Sequence, residues 1–469
     1  MKKILYITFA TFLVSLSLRG QNSNSTLYFA DQYTQRMEYN ASFTPGAGYL
    51  GIPFFGGFSM GVVSNISPKS FLLPHNGELI TIFHPDAPAS ALDKLRKDNQ
   101  LEQTMKMNIL SFGFYTGKSM FWSFNCNIKQ NTYTSIPGDF IRLAYYGMSS
   151  SETHYDFSNL KFGGQAILES ALGFSMNATK DLRVGGRVKY LSGIAKGEVH
   201  YDRLKATMGS DAWIIDAKGT LTASMVGPGI TYDLDDNGYI DFGTFGMREG
   251  GSFGDWMRSA GSGFGIDLGA TYDNFFVPRL TIAAAVNDIG MMSWKRSISG
   301  TARGTVNFTG FEEVDGNLDD QVDALGKQFN GIIGFAPDQG GSSGRDSYWL
   351  DTHVRLSAEY GIFHINNRDM LSAGLSYLGY LNSPVKYHEF MLGVTFRPAS
   401  WFTLTGNIAK PVRYPASYGF AMMFSGAVNF YLAAQLGGFE YAPRYSIPID
   451  NLTTTFQMGL NFRIGSKRR

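Results

Sequence analysis

Only one cysteine, Cys126, occurs in the 469 residues, so the chain can form no internal disulfide. Because Cys126 lies far from the start, no acylated cysteine follows a leader. Charged residues are also scarce, at 17%, against about 25% in an ordinary soluble domain. Beyond the first residues no apolar run approaches the roughly 18 residues that a membrane helix needs. The net charge is +1, which offers nothing to a polyanion, and nucleic acid is not expected as a partner. The seven histidines (His75, His84, His154, His200, His353, His364 and His388) contain no His-x-x-x-His pair, so a helical zinc site is not suggested. Two glycine motifs, Gly46-x-Gly48-x-x-Gly51 and Gly57-x-Ser59-x-Gly61, lack the strand-turn-helix setting that gives such motifs chemistry. With 55 glycines they are expected by chance, and the chain is read as a non-enzyme.

What is present is an export leader and strand after strand. Met1-Lys2-Lys3, an apolar run from Ile4 to Leu18, and the small Gly20 make a secretory signal cleaved near Gly20. At the other end, Phe456, Met458, Leu460, Phe462 and Ile464 alternate with Thr455, Gln457, Gly459, Asn461 and Arg463. This is a strand with one greasy and one polar face. The run Gln457-x-Gly459-x-x-Phe462-x-Ile464 resembles the C-terminal assembly signal of bacterial outer-membrane barrels; an ordinary edge strand is the alternative. Aromatics at 14% with near-neutral mean hydropathy suit a wall with an apolar outer band, aromatic girdles and a polar lumen.

The same period of two recurs along the chain. Arg187 and Lys189 alternate with Val188 and Tyr190. A cation facing hydrocarbon at mid-depth costs about 2–4 kcal/mol, so both are expected in the lumen. Asp267 shares a face with several glycines, opposite Phe264, Ile266 and Leu268, and Asp351, His353 and Arg355 oppose Leu350, Val354 and Leu356. These four polar residues are also expected to face the lumen. Glycine on that face suits a place where the wall curves or where a plug or insertion lies close. Short turns alternate with long connections, which predicts an all-β transmembrane antiparallel barrel of 14, alternatively 16, strands. The expected parts are the signal (1–20), a plug-like segment (21–45), the barrel (46–464), and a basic tail (465–469). The barrel carries an insertion at 67–107 and loops at 225–261 and 310–348, with a short helix over 91–98.

Asp233, Asp235, Asn237, the Tyr239 carbonyl and Asp241, around Gly238, match the first nine positions of a calcium loop. Thr244 stands where a bidentate Glu belongs, so the alternatives are Ca2+ and a plain acidic glycine turn. Asp315–Asp323 is a second acidic stretch.

Gly263-x-Gly265-x-Asp267-x-Gly269-x-x-Tyr272, Asn287-Asp288-x-Gly290 with Trp294, Asn40-Ala41-Ser42-Phe43-x-Pro45, and Gly459-Leu460-Asn461-Phe462 resemble outer-membrane barrels of the bacterial lineage that uses type IX secretion. More distantly the chain is similar to the FadL-like long-chain fatty-acid transporters. That resemblance implies a barrel of about 14 strands with an N-terminal plug, placing Asn40, Ala41, Ser42, Phe43 and Pro45 in it. The family's Asn-Pro-Ala motif is altered here, with Ala41 at the proline position. It implies passage of a hydrophobic or amphipathic ligand. The alternative is an accessory subunit of an envelope secretion or assembly complex. Outer-membrane lipid and the barrel assembly machinery are the expected partners.

Overall fold

The computed structural model describes residues 25–65, 72–75, 78–81, 96–117, 119–146, 153–209, 213–256, 258–308, 334–338, 344–365, 368–382, 387–412, 416–437 and 453–465, with scattered positions between 82 and 95. The leader, positions 91 and 93–95 of the helix expected at 91–98, the acidic stretch Asp315–Asp323 and the tail beyond 465 lie outside the described residues, and Asp98 already belongs to a strand.

Fourteen antiparallel strands close on themselves. The first, β1, is interrupted (Gly48–Gly51 and Phe58–Ser64). It is followed by β2 (Asp98–Thr116), β3 (Met120–Pro137), β4 (Lys161–Asn177), β5 (Leu182–Met208), β6 (Gly261–Tyr272) and β7 (Leu280–Lys295). The circuit continues through β8 (His353–Ile365), β9 (Arg368–Tyr380), β10 (His388–Ala399), β11 (Phe402–Pro411), β12 (Ser417–Phe424), β13 (Val428–Leu436) and β14 (Thr454–Ile464). Each pairs with the next, and β14 returns to β1 with Gly48 opposite Ile464 and Phe58 opposite Met458. No barrel strand is left with a free edge, the liability that an open sheet must manage.

Alternation explains why these sequences make a wall. Along β5, Val188 is 63% exposed and Arg187 2%. Along β14, Phe456 and Phe462 face out while Gln457 and Asn461 are buried inside. Successive side chains of a strand point to opposite faces, so one pattern supplies both an apolar exterior and a polar interior. Connections at the end holding Gly48 and Ile464 are short (178–181, 400–401, 425–427), whereas those at the other end run to 209–260 and 296–352.

Two expectations need correction. The insertion predicted over 67–107 is shorter, because Asp98–Met107 already belongs to β2 and pairs with β3. The larger strand count, 16, arises from segments outside the ring. Ala195–Lys205 is the continuation of β5, and Trp213–Met225 pairs with it and with Ile298–Phe308. These segments raise a sheet beyond the long-loop end over its own core of Leu204, Ile215, Leu221, Ile240, Ile298 and Phe335. Asn40 to Pro45, ahead of β1, is taken up below.

Candidate functional site

Residues 25–47 lie inside the ring. A chain of turns (Tyr28 N to Ser25 O, Ala30 N to Leu27 O, Tyr33 N to Ala30 O) leads into a single 3-10 turn, Arg36–Glu38. Such compact turns suit a segment that must satisfy its backbone within a closed space. Its hydrogen bonds reach β2 and β3 from Glu38, β4 and β6 from Ser42, β7 from Tyr39 and β8 from Tyr28. They reach β10 from Phe29, β11 and β13 from Thr26, and β14 from Thr34. Gln35 also donates to the Gly56 carbonyl in the β1 interruption. Packing supplies the remaining strands: Met37 packs with Tyr49 of β1, Ala41 abuts Gly185 of β5, Phe29 abuts Gly374 of β9, and Leu27 packs with Ala421 of β12.

Asn40 is the tightest point of this docking. Its Oδ1 accepts from Ser42 N at 2.9 Å, a turn closed by the side chain. Its Nδ2 donates to the carbonyls of Ala284 and Ala270, at 3.2 and 3.4 Å. Ser42 Oγ lies 2.6 Å from Thr271 Oγ1. The wall admits this approach because Gly269 and Gly185 are register partners. A Cβ on Gly269 would collide with Asn40 Oδ1, and one on Gly185 with the Ala41 carbonyl. Phe43 is buried against Tyr28, and the Pro45 carbonyl accepts from Tyr115.

Toward the long-loop side of this segment lies a chain of buried charges. Arg187 donates to Asp267 Oδ2 at 3.0 Å, and Lys189 bridges Asp267 Oδ1 at 2.7 Å and Asp288 Oδ1 at 2.6 Å. His353 Nδ1 stands 3.7 Å from Asp288 Oδ2, and Lys129 pairs with Glu169 at 2.7 Å. Lys106 pairs with Glu38 of the segment itself. Arg355 donates to Ser25 Oγ at 3.0 Å and stacks over the Tyr28 ring, while Ser25 Oγ in turn donates to Glu389. A β-bulge makes the centre possible. Ile266 pairs with Ile289 but Leu268 with Val286, so Asn287 and Asp288 together oppose Asp267. Asp288 adopts a φ of 59°, and its N–H donates to Asp267 Oδ1 at 2.8 Å.

Cavities lie on both sides of the segment. At the short-turn end, a cleft of about 330 Å³ is lined by Tyr28, Phe29, Arg36 and Phe43 of the segment together with Arg279, Asp369 and Arg397 of the wall. On the long-loop side, a cavity of about 60 Å³ is lined by Glu38 and Tyr39 with Arg187, Lys189, His353 and Gln457. Another of about 130 Å³ reaches Tyr348 and Asp351.

Of the residues singled out from sequence, Arg187, Lys189, Asp267, His353 and Arg355 come together in this interior, with Asp351 at the rim of the upper cavity. Gln457, Gly459, Phe462 and Ile464 lie along β14. Glu38, Lys106, Glu169, Asp288 and Glu389 were not singled out by the alternation. The acidic glycine loop folds as a turn around Gly238 (φ 81°). Asp235 Oδ1 accepts from the amides of Asn237 and Tyr239, and Asp241 Oδ1 from Gly243 N. Among the described residues no group of three or more His, Cys, Asp or Glu side chains could hold a metal ion. Asp235 and Asp241 thus each turn one carboxylate oxygen to the loop's own backbone.

Among solved structures, the toluene transporter TodX of Pseudomonas putida is 10% identical over 97% of this chain and 96% of its own, with a TM-score of 0.42. The toluene transporter TbuX of Ralstonia pickettii is 9% identical over 91% and 92%, with a TM-score of 0.41. A FadL homologue of Pseudomonas aeruginosa is 10% identical over 90% and 91%, at 0.34. At such scores it is the closed ladder, and not these likenesses, that establishes the barrel. No curated protein matches. Residues 41–435 match the model of a family described only as of unknown function, DUF5723. That match spans most of the barrel, and the chain belongs to this family.

Proposed function

We propose that this protein is an outer-membrane β-barrel that passes a hydrophobic or amphipathic small molecule, with residues 25–47 as its plug. One observation carries the reading: the same segment forms the wall of a cleft at the short-turn end and of a cavity on the long-loop side. A segment placed between two cavities is a stopper whose movement would join them. The export leader, the short-turn and long-loop asymmetry and the apolar exterior support the outer membrane. The β1 interruption supports an exchange route through the wall. There Phe54 (φ 65°) and Phe55 are exposed on the outside, while Gln35 of the plug donates to Gly56. In this reading the assembly machinery recognises Gln457, Gly459, Phe462 and Ile464, and no catalytic role is assigned.

The second reading, an accessory subunit of an envelope complex, is favoured by the plug's bonds to so many strands and by the raised sheet with its separate core. Gentle detergent extraction from the native membrane separates the two. A lone barrel carrying an extractable hydrophobe supports passage. A stoichiometric set of envelope proteins sinks it and supports the subunit role.

A further inference from the structure

On the outward wall from β5 to β10 runs a groove of about 450 Å³ lined by no charged side chain. Its floor is three alanines, Ala270, Ala284 and Ala358, on successive strands. Ala270 is the register partner of Ala284, and Ala358 pairs with Ile282 one step nearer the short-turn end. Large exposed side chains, Leu375 and Phe390 among them, stand beside it. The inward positions of the same patch are also small. Thr271 and Ser357 are engaged by Ser42 and Tyr28 of the plug, so the wall is thin here and its inner side is already filled.

A thin apolar depression without a filler forfeits dispersion contacts along its floor, and only an apolar filler matches a lining without charge. The groove lies on the face that the proposed function places in hydrocarbon, and the inference rests on that reading. It also has a direction. Its lining reaches Leu182 and Tyr272, at the short-turn ends of β5 and β6. There Lys180, largely in solvent, stands 3.8 Å from Asp181, and Arg279 pairs with Asp369. A hydrocarbon chain in the groove would therefore bring its head group to a rim where cations and carboxylates stand side by side, which suits a head group carrying both signs. We propose that the groove holds one acyl chain of a membrane glycerophospholipid, retained in preference to the lipids along the rest of the wall.

The test uses the full chain reconstituted in phospholipid nanodiscs containing a lipid with a diazirine on its acyl chain. Photolysis and peptide mapping then locate the label. Label should be several-fold denser on β6–β10 than on β12–β14, and Ala284→Phe or Ala358→Phe, each filling the floor, should reduce it several-fold. Val188→Phe, on the exposed face of β5, should leave it unchanged, and retained resistance to SDS at room temperature shows that each variant is folded. Even labelling around the wall, or label unaffected by both floor variants, overturns the groove while leaving the membrane reading intact. Label nowhere overturns the membrane reading itself. Protein-to-protein adducts at the groove would mean that a second copy fills it, and would overturn the lipid assignment.

Discussion

At the scale of single residues, the interior depends on contacts that tolerate little change. Asp267 serves Arg187, Lys189 and the Asp288 amide at once. Removing one partner of such a buried pair leaves a charge without compensation, at a cost of about 3–5 kcal/mol. Asp267→Ala should therefore lower the thermal unfolding midpoint in detergent markedly. Arg203→Ala, which breaks a pair whose side chains are 48% and 37% exposed, should cost no more than about 1 kcal/mol. A midpoint equally insensitive to both would contradict the account. Gly269→Ala makes a different prediction. The added Cβ meets Asn40 Oδ1, so the barrel should stay folded while the plug is displaced, read as faster protease cleavage within residues 25–47. Arg187, Lys189 and Asp267 were legible because each sits between apolar neighbours. Asp288 was not, because Asn287 and Asp288 are adjacent polar residues that break a period of two, and the bulge that turns both inward is defined only by the partner strand. Glu38 belongs to no strand, and only the enclosed path of the segment brings it to Lys106.

At the scale of elements, the bulge and the last strand have separate consequences. Deleting Asp288 removes the extra residue of β7, so Asn287 alone would oppose Asp267 while Ile289 stays opposite Ile266 and Gly290 opposite Gly265. Lys189 would lose one of its two carboxylate partners. The expected outcome is a barrel that still migrates faster on unheated gels but unfolds at a lower temperature. In β14, Phe462 is outward and exposed. Phe462→Asp should reduce the amount of barrel recovered from the outer membrane with little accumulation of a stable soluble form, as measured by membrane fractionation. Full recovery would remove Phe462 from the proposed assembly signal. The strands with clean alternation, such as β3, β6 and β14, could be read from the chain alone. The first ten residues of β2 could not, because Asp98–Met107 carries polar groups on both faces where it crosses a charged interior. The length of β5 was also hidden, since a strand that leaves the ring and continues into the raised sheet shows no change of period.

At the scale of the whole molecule, the closed fourteen-strand ring was foreseeable from strand rhythm and turn asymmetry, and the resemblance implied a plug, whereas the path of that segment was not legible. Three-dimensional closure decides that a mostly irregular segment, Ser25 to Ala47, meets all fourteen strands. The central claim is that this segment is a movable stopper rather than a permanent core. The most direct measurement is uptake of an amphipathic fluorescent probe by cells with an intact lipopolysaccharide outer membrane. These cells would express the wild-type chain, Gly269→Ala, or an empty vector, with equal barrel insertion checked by heat-shifted mobility. The account predicts uptake above vector for the wild type and a further increase of several-fold for Gly269→Ala. Uptake equal to vector for both, with the barrel inserted and the plug shown to be displaced, would contradict it.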